Sequence, residues 1–223
     1  MKKHIVLVGT LFMSASTLAG TDACKQMYPV TCLVGQKAPE FTAKAAVVDD
    51  IQDVSLAMYG KKYKVLIFYP GDFSYICPTE LLAFQEKMSE FEKHDAQLIG
   101  VSVDQVYSHL AWLNMPKKKG GIKGVSFPLI GDVSKEVSCK YMVLNKEGVA
   151  LRAVFVIDPD NVVQSMTIYN TKFGRSVDEV LRSLEADKEC KTKGKMCPVN
   201  WKPGKKTIAP TKEGAEVYFG NAN

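Results

Sequence analysis

Apolar runs and amphipathic stretches alternate along the 223 residues. The run "YKVLIFY" (63–69) is rich in β-branched and aromatic residues, the pattern of a strand covered on both faces. Pro70 and Gly71 end it. Pro78 then opens a helix, because its missing N–H has no partner in a first helical turn. Leu81, Phe84, Met88 and Phe91 recur at spacings of three and four, so that helix carries one apolar face to about Lys93. "AQLIGVSV" (96–103) predicts a second buried strand, and Asp104 is placed to cap the helix "QVYSHLAWLNM", which Pro116 stops. "SFPLIGD" leads into a short helix over 132–141. "GVALRAVFVID" (148–158) and "VVQSMTIYN" (162–170) flank the turn "PDN" as a hairpin. "GRSVDEVLRSLEADKE" (174–189) predicts an amphipathic helix. "APEFTAKAAVV" (38–48) reads as an edge strand, because Pro39 removes a ladder donor. Early strand–helix alternation followed by a late hairpin predicts an α/β fold with a mixed sheet.

The two ends differ from this pattern. "MKKHIVLVGTLFMSASTLAG" begins with two lysines, continues as a short apolar run and ends in small residues. That is the pattern of a secretory signal, here residues 1–19, and its apolar run is too short to span a bilayer. Removing it takes away Lys2 and Lys3 and no acid, so the net charge falls from +5 to +3. Residues 20–36 read as an N-terminal arm and 37–189 as the globular domain. Residues 190–223, rich in Lys, Gly and Pro, read as a C-terminal arm. The segment points to export and no stable membrane association once processed. The mild basicity lacks an Arg-rich or aromatic-interleaved stripe, so nucleic acid is not an expected partner.

Cysteines stand at 24, 32, 77, 139, 190 and 197. No pair has C-x-x-C spacing and only three histidines are present, which leaves no template for a structural zinc. A domain of this length needs no disulfide staple. Redox chemistry is therefore the better account of the cysteines than scaffolding. If the protein is exported, Cys24 and Cys32 can pair; Cys139 reads as packing; Cys190, seven residues before Cys197, can compete with it as a thiol. His94 reads as a surface residue and His109 as a helix-face one. The stretch around Met115–Lys119 reads as a solvated charge run.

Cys77 lies at or just before the first turn of the helix opened by Pro78. Unpaired N–H groups and the positive end of the helix dipole favour an anion there, which is a setting in which proteins activate a thiol. Ser74 offers a nearby hydroxyl. Arg152 interrupts an apolar strand, and a buried guanidinium must find an anion. These residues alone leave two readings open, a small buried hydrophobe or a nucleophile. A Cys–His hydrolase lacks a histidine with motif support, and a disulfide oxidoreductase would have cysteine where Glu80 stands.

Pro70, Ser74 and Cys77 match the pattern P-x-x-x-T/S-x-x-C, and "FYPGDFSYICPTEL" as a whole resembles the active-site segment of peroxiredoxins, in their typical two-cysteine branch, which includes alkyl hydroperoxide reductase C-type proteins. The resemblance continues in order through "GVSVD", "SHLAW", "FVID", "GRSVDE" and "CPVNWKPG", from about residue 32 to the end. It implies a thioredoxin-like fold with a central mixed sheet flanked by helices, and a thiol peroxidase needing no metal or organic cofactor. Cys77 would be the peroxidatic cysteine, shielded by Pro70. Ser74 would bond the peroxide, Arg152 would stabilise thiolate and leaving oxygen, and Glu80 would hold the arginine. Cys197 would be the resolving cysteine, acting across a homodimer that can build a decameric ring. A thioredoxin-type or flavoprotein reductase would recycle the disulfide, and the resemblance implies a cytoplasmic location, against the periplasmic or secreted one to which residues 1–19 point. A redox-regulated oligomeric chaperone or peroxide-signalling protein is the alternative implied.

Three positions bear on the family pattern. Its second arginine, expected in the hairpin strand, is replaced by Gln164, which leaves the outer Arg–Glu network open. Its Gly-Gly-Leu-Gly loop reads Gly120-Gly121-Ile122-Lys123, whereas its Tyr-Phe pair is kept as Tyr218-Phe219. The sensitivity of Cys77 to over-oxidation is therefore left open.

Overall fold

The structure is a computed structural model and describes residues 32–220. The signal-like segment, Cys24 and most of the expected N-terminal arm lie outside the described residues.

Seven strands form one mixed sheet: β1 (Thr42–Val47), β2 (Asp50–Ser55), β3 (Tyr63–Phe68), β4 (Ala96–Ser102), β5 (Leu129–Gly131), β6 (Arg152–Ile157) and β7 (Val163–Tyr169). Their spatial order is β2-β1-β5-β4-β3-β6-β7. β3 and β4 run parallel, as do β4 and β5, while β6 lies antiparallel to both β3 and β7. Every residue of β3 and β6 is buried, as the unbroken apolar runs require. Even Lys64 is enclosed, its ammonium donating to Gly60 O and Asn161 Oδ1 at 2.7 Å.

Alternation along β3 splits the core in two. Val65 and Ile67 face a cluster with Leu81, Phe84, Phe91, Trp112 and Leu184. Leu66 and Phe68 face one with Phe41, Val101, Tyr141 and Phe155. The helices are α1 (Cys77–Glu86), α2 (Met88–Lys93), α3 (Val106–Asn114), α4 (Glu136–Lys140), α5 (Val177–Lys193) and α6 (Lys212–Gly220). Among the described residues, no helix is long and apolar enough to cross a membrane.

Three local expectations are corrected. The strand at 42–47 is interior, paired on both sides, because Pro39 lies before its first rung and removes no donor. The edge on that side, β2, is the polar "DIQDVS", in which only Val54 is buried, so its sequence carries almost no apolar period. The single helix expected to Lys93 is divided at Lys87 (φ −92°, ψ 4°), although its apolar face continues across the break, with Phe84 and Phe91 rings 6.1 Å apart. Asp104 does not cap α3, whose N-cap is Gln105 without a side-chain bond. Its carboxylate accepts from Ser102 Oγ at 2.6 Å and from the Asp72 amide at 3.0 Å.

That last contact anchors the loop leading to Cys77. Asp72 also meets His109 Nδ1 at 2.8 Å and Tyr69 OH at 3.0 Å, and His109 Nε2 donates to Ile130 O at 3.1 Å. His109 is fully enclosed, a structural pin between α3, β5 and the loop. His94 is partly buried against Glu185, 3.1 Å away, rather than free on the surface. The Gly120–Lys123 loop is structural too. Trp112 Nε1 donates to Gly120 O at 2.9 Å, Ile122 is fully buried, and a Cβ on Gly121 would collide with the Met115 backbone.

Candidate active site

Cys77 is the first residue of α1 and is completely buried. β3 delivers the chain to the site, Pro70 closes the strand, and Pro78 starts the helix beside the sulfur. Arg152, the first residue of β6, donates from Nη1 to Cys77 Sγ at 3.2 Å. The same nitrogen lies 2.7 Å from Glu80 Oε2, and Nε donates to Thr171 O at 3.0 Å. The guanidinium is therefore held in one orientation with its charge against the sulfur. Both readings of Cys77 meet in this geometry: it is buried among Leu81 and Phe84 in the apolar core, yet its sulfur faces a cation and a helix N-terminus.

Glu80 sits one turn along α1. It receives Arg175 three times, from the backbone N at 2.9 Å, from Nε at 2.8 Å and from Nη2 at 2.9 Å. Arg175 Nη1 continues to the carbonyls of Phe68 and Ala153, at 2.7 and 2.8 Å. Burial by itself would raise the Glu80 carboxyl, but the hydrogen bonds and charge of Arg175, joined by Arg152, outweigh it and hold the group below the usual carboxylate range. The outer Arg–Glu network, left open by Gln164, is thus closed by Arg175. Gln164 is engaged elsewhere, donating to Asp158 Oδ2 at 2.8 Å. The sequence pattern puts Arg175 in the first turn of the helix expected over 174–189, where an arginine is ordinarily solvated, whereas α5 begins at Val177 and Arg175 precedes it, buried. Its signal was its place in "GRSVDE".

Ser74 is half-buried and donates to Gly71 O at 3.0 Å, so its hydroxyl braces the loop. Phe73, beside it, takes a left-handed φ of 53° and packs its ring 5.9 Å from Trp112.

Cys197 is not brought to Cys77 within the chain. It faces Cys190, with the two sulfurs 3.6 Å apart, and lies 3.7 Å from Ala186 O. Burial, followed by the Cys190 sulfur, pushes the Cys197 thiol up to about 11. Cys139 is exposed, contrary to the packing expectation, because the short α4 turns Val137 and Ser138 inward and leaves the next position in solvent. Two sizeable cavities, of about 890 and 1080 Å³, run along α5 and the C-terminal segment, and neither is lined by Cys77. Among the described residues, no cluster of three His, Cys, Asp or Glu side chains could hold a metal ion.

A thioredoxin-like sheet with a helix-N-terminal cysteine under a fixed arginine defines a thiol-based redox protein, and comparison with known proteins narrows the class. Residues 34–166 match the AhpC/TSA family, and 190–221 match the C-terminal domain of 1-Cys peroxiredoxin. The chain is 47% identical over 188 residues to a chloroplastic 2-cysteine peroxiredoxin of Chattonella marina var. antiqua, covering 83% of this chain and 96% of the relative. It is 43% identical over 191 residues to peroxiredoxin-2 of Mus musculus, covering 85% and 96%. Among solved structures, the reduced 2-Cys peroxiredoxin of Plasmodium vivax superposes with a TM-score of 0.83 at 39% identity, over 85% of this chain and all of the other. The protein belongs to the AhpC/TSA family of peroxiredoxins and is a thiol peroxidase with an antioxidant role.

Proposed function

We propose that Cys77 is the peroxidatic nucleophile and that Arg152, bonded to its sulfur at 3.2 Å, is the group that makes it one. Cys77 Sγ attacks the nearer oxygen of a hydroperoxide. The O–O bond breaks, the departing oxygen takes a proton and leaves as water or alcohol, and the sulfur becomes a sulfenic acid. Arg152 serves both ends of this step, holding the sulfur's negative charge beforehand and the charge growing on the leaving oxygen during it. Glu80 and Arg175 fix Arg152, so its orientation costs nothing at the moment of reaction. Ser74 can turn its hydroxyl from Gly71 O to a bound peroxide oxygen, and Pro70 shields the sulfur from one side.

In the second half of the cycle, a Cys197 thiol condenses with the sulfenic acid and expels water. The separation of Cys197 from Cys77 within the chain favours attack from a second copy, hence a homodimer and, through it, ring assembly. A thioredoxin-type dithiol or a flavoprotein reductase then exchanges with the disulfide. The chaperone alternative draws no support from a site in which Arg175 and Glu80 position the one guanidinium bonded to the Cys77 sulfur.

The test is hydrogen peroxide consumption by residues 20–223 with a thioredoxin reducing system. Cys77→Ser should lose turnover by on the order of a thousandfold or more, the scale of removing a nucleophile. Cys197→Ser should stall after one turnover. Full turnover by Cys77→Ser would remove the nucleophile from its role.

A further inference from the structure

The juxtaposition of Cys190 and Cys197 is used by nothing in the cycle above. α5 ends at Gly194, which takes a left-handed φ of 60° and donates its N–H to Cys190 O. The chain then doubles back. Met196 and Ile208 exchange both backbone hydrogen bonds at 2.8 Å, which fixes the residue before Cys197. Nearby, Trp201 is buried and donates from Nε1 to Lys205 O. The result is a pair of half-buried thiols 3.6 Å apart, opening on a groove of about 1080 Å³ that Arg182, Lys195 and Lys202 help to line. A rotation of the two side chains by ~1.5 Å at sulfur reaches the bonded distance of about 2.05 Å.

We propose that Cys190 is a relay thiol, which takes Cys197 from the Cys77–Cys197 disulfide and leaves the oxidising equivalent as an intrachain Cys190–Cys197 disulfide facing the groove. The inference rests on the reading of Cys197 as the resolving cysteine. The Cys190 thiol loses its proton to solvent and its thiolate attacks Cys197 Sγ. The Cys190–Cys197 bond forms, the Cys77–Cys197 bond breaks, and Cys77 departs as thiolate. No outside oxidant is required, because peroxide has already withdrawn the two electrons.

Two features drive the exchange forward. Cys190 is tethered seven residues from its target, so the attack is intramolecular at high effective concentration. The leaving sulfur has a receptor, since Cys77 returns to Arg152 Nη1 and the first turn of α1. Cys77 is fully buried, so the first turn of α1 must open for it to meet Cys197, and expulsion of Cys77 lets that turn close. The reductase then meets a disulfide at the groove rather than one drawn from the core.

The experiment treats fully reduced residues 20–223 with one equivalent of hydrogen peroxide and no reductant. Samples are alkylated over time, then run on non-reducing gels and mapped by mass spectrometry. In the wild type the Cys77–Cys197 linked dimer should rise and give way to monomer carrying a Cys190–Cys197 link and an alkylated Cys77. In Cys190→Ser the linked dimer should persist. With excess peroxide the wild type should consume about twice as much per subunit as Cys190→Ser before Cys77 over-oxidises, since the relay frees that sulfur once. A wild-type dimer that persists with Cys190 alkylated would overturn the relay while leaving Cys197 as the resolving residue. Formation of the Cys190–Cys197 link in Cys77→Ser at the same dose would overturn it as direct oxidation, and a Cys77–Cys190 link in Cys197→Ser would overturn it as parallel resolution. No linked dimer in either wild type or Cys190→Ser would bring down the relay and the reading of Cys197 together.

Discussion

Cys77 and Cys197 live in opposite surroundings. Cys77 is enclosed by two core strands and a helix, under an arginine that is itself gripped by a carboxylate and a carbonyl. Cys197 stands half-exposed on a segment tied down by a two-bond bridge and one buried tryptophan. As the proposed nucleophile, the first sulfur needs a charge field that does not reorganise during attack, and buried, fully paired groups supply one. As the proposed resolving thiol, the second would travel to meet the first, and it stands where little packing is lost by moving. In the proposed cycle, rigidity and looseness are divided between the core and the C-terminal segment because the two half-reactions ask for different things.

The largest way to break the contrast is Glu80→Gln. It leaves Arg152 and Arg175, both buried, without their shared anion. Loss of one partner of a buried charge network costs roughly 3–5 kcal/mol, so the urea midpoint should drop clearly and the reactivity of Cys77 should fall with it. The equivalent loss near Cys197 should be far smaller. An unchanged midpoint would mean that the arginines find other acceptors.

Arg152→Lys is next. It keeps one positive charge but cannot reach sulfur, Glu80 and the Thr171 carbonyl together. Peroxide kcat/KM should fall about a hundredfold, the scale of removing one aimed donor, while the reduction of an already formed disulfide by thioredoxin is unaffected. An equal loss in both steps would place Arg152 in general folding.

The pH dependence follows from Glu80. Its folded pKa lies below the usual glutamate range, so the stability it contributes is present above that range and is lost as pH falls through the folded value. Acid unfolding below about pH 4 should therefore be shallower in Glu80→Gln than in the wild type. Parallel acid transitions would assign the effect to other carboxylates. The smallest effect is expected for Cys139→Ser, at an exposed position on a short helix, which should shift stability by no more than ~0.5 kcal/mol and leave turnover intact.

Much of this was legible along the chain. The unbroken apolar runs marked β3, β4 and β6, because a strand covered on both faces has no polar period to hide. Proline at 78 marked the start of α1 and so the helix N-terminus at Cys77. Arg152 announced itself by interrupting an apolar strand, since a charge there has to be paired. β2 was invisible because an edge strand with one buried side chain carries no pattern. Asp104 was misread because capping is a local rule, whereas its real partners, Ser102 and the Asp72 amide, are chosen by where β4 ends beside the loop after β3.

What the sequence by itself determined is the set of reactive groups and their local settings: a cysteine at a helix start, an arginine in a buried apolar run, and a second cysteine on a polar arm. What only the tertiary structure decided is which charges meet. That Glu80 is shared by Arg152 and Arg175, that Gln164 serves Asp158, and that Cys190 lies against Cys197 are outcomes of packing between distant segments. Chain periodicity records which face a residue turns inward. It does not record which residue waits on the other side.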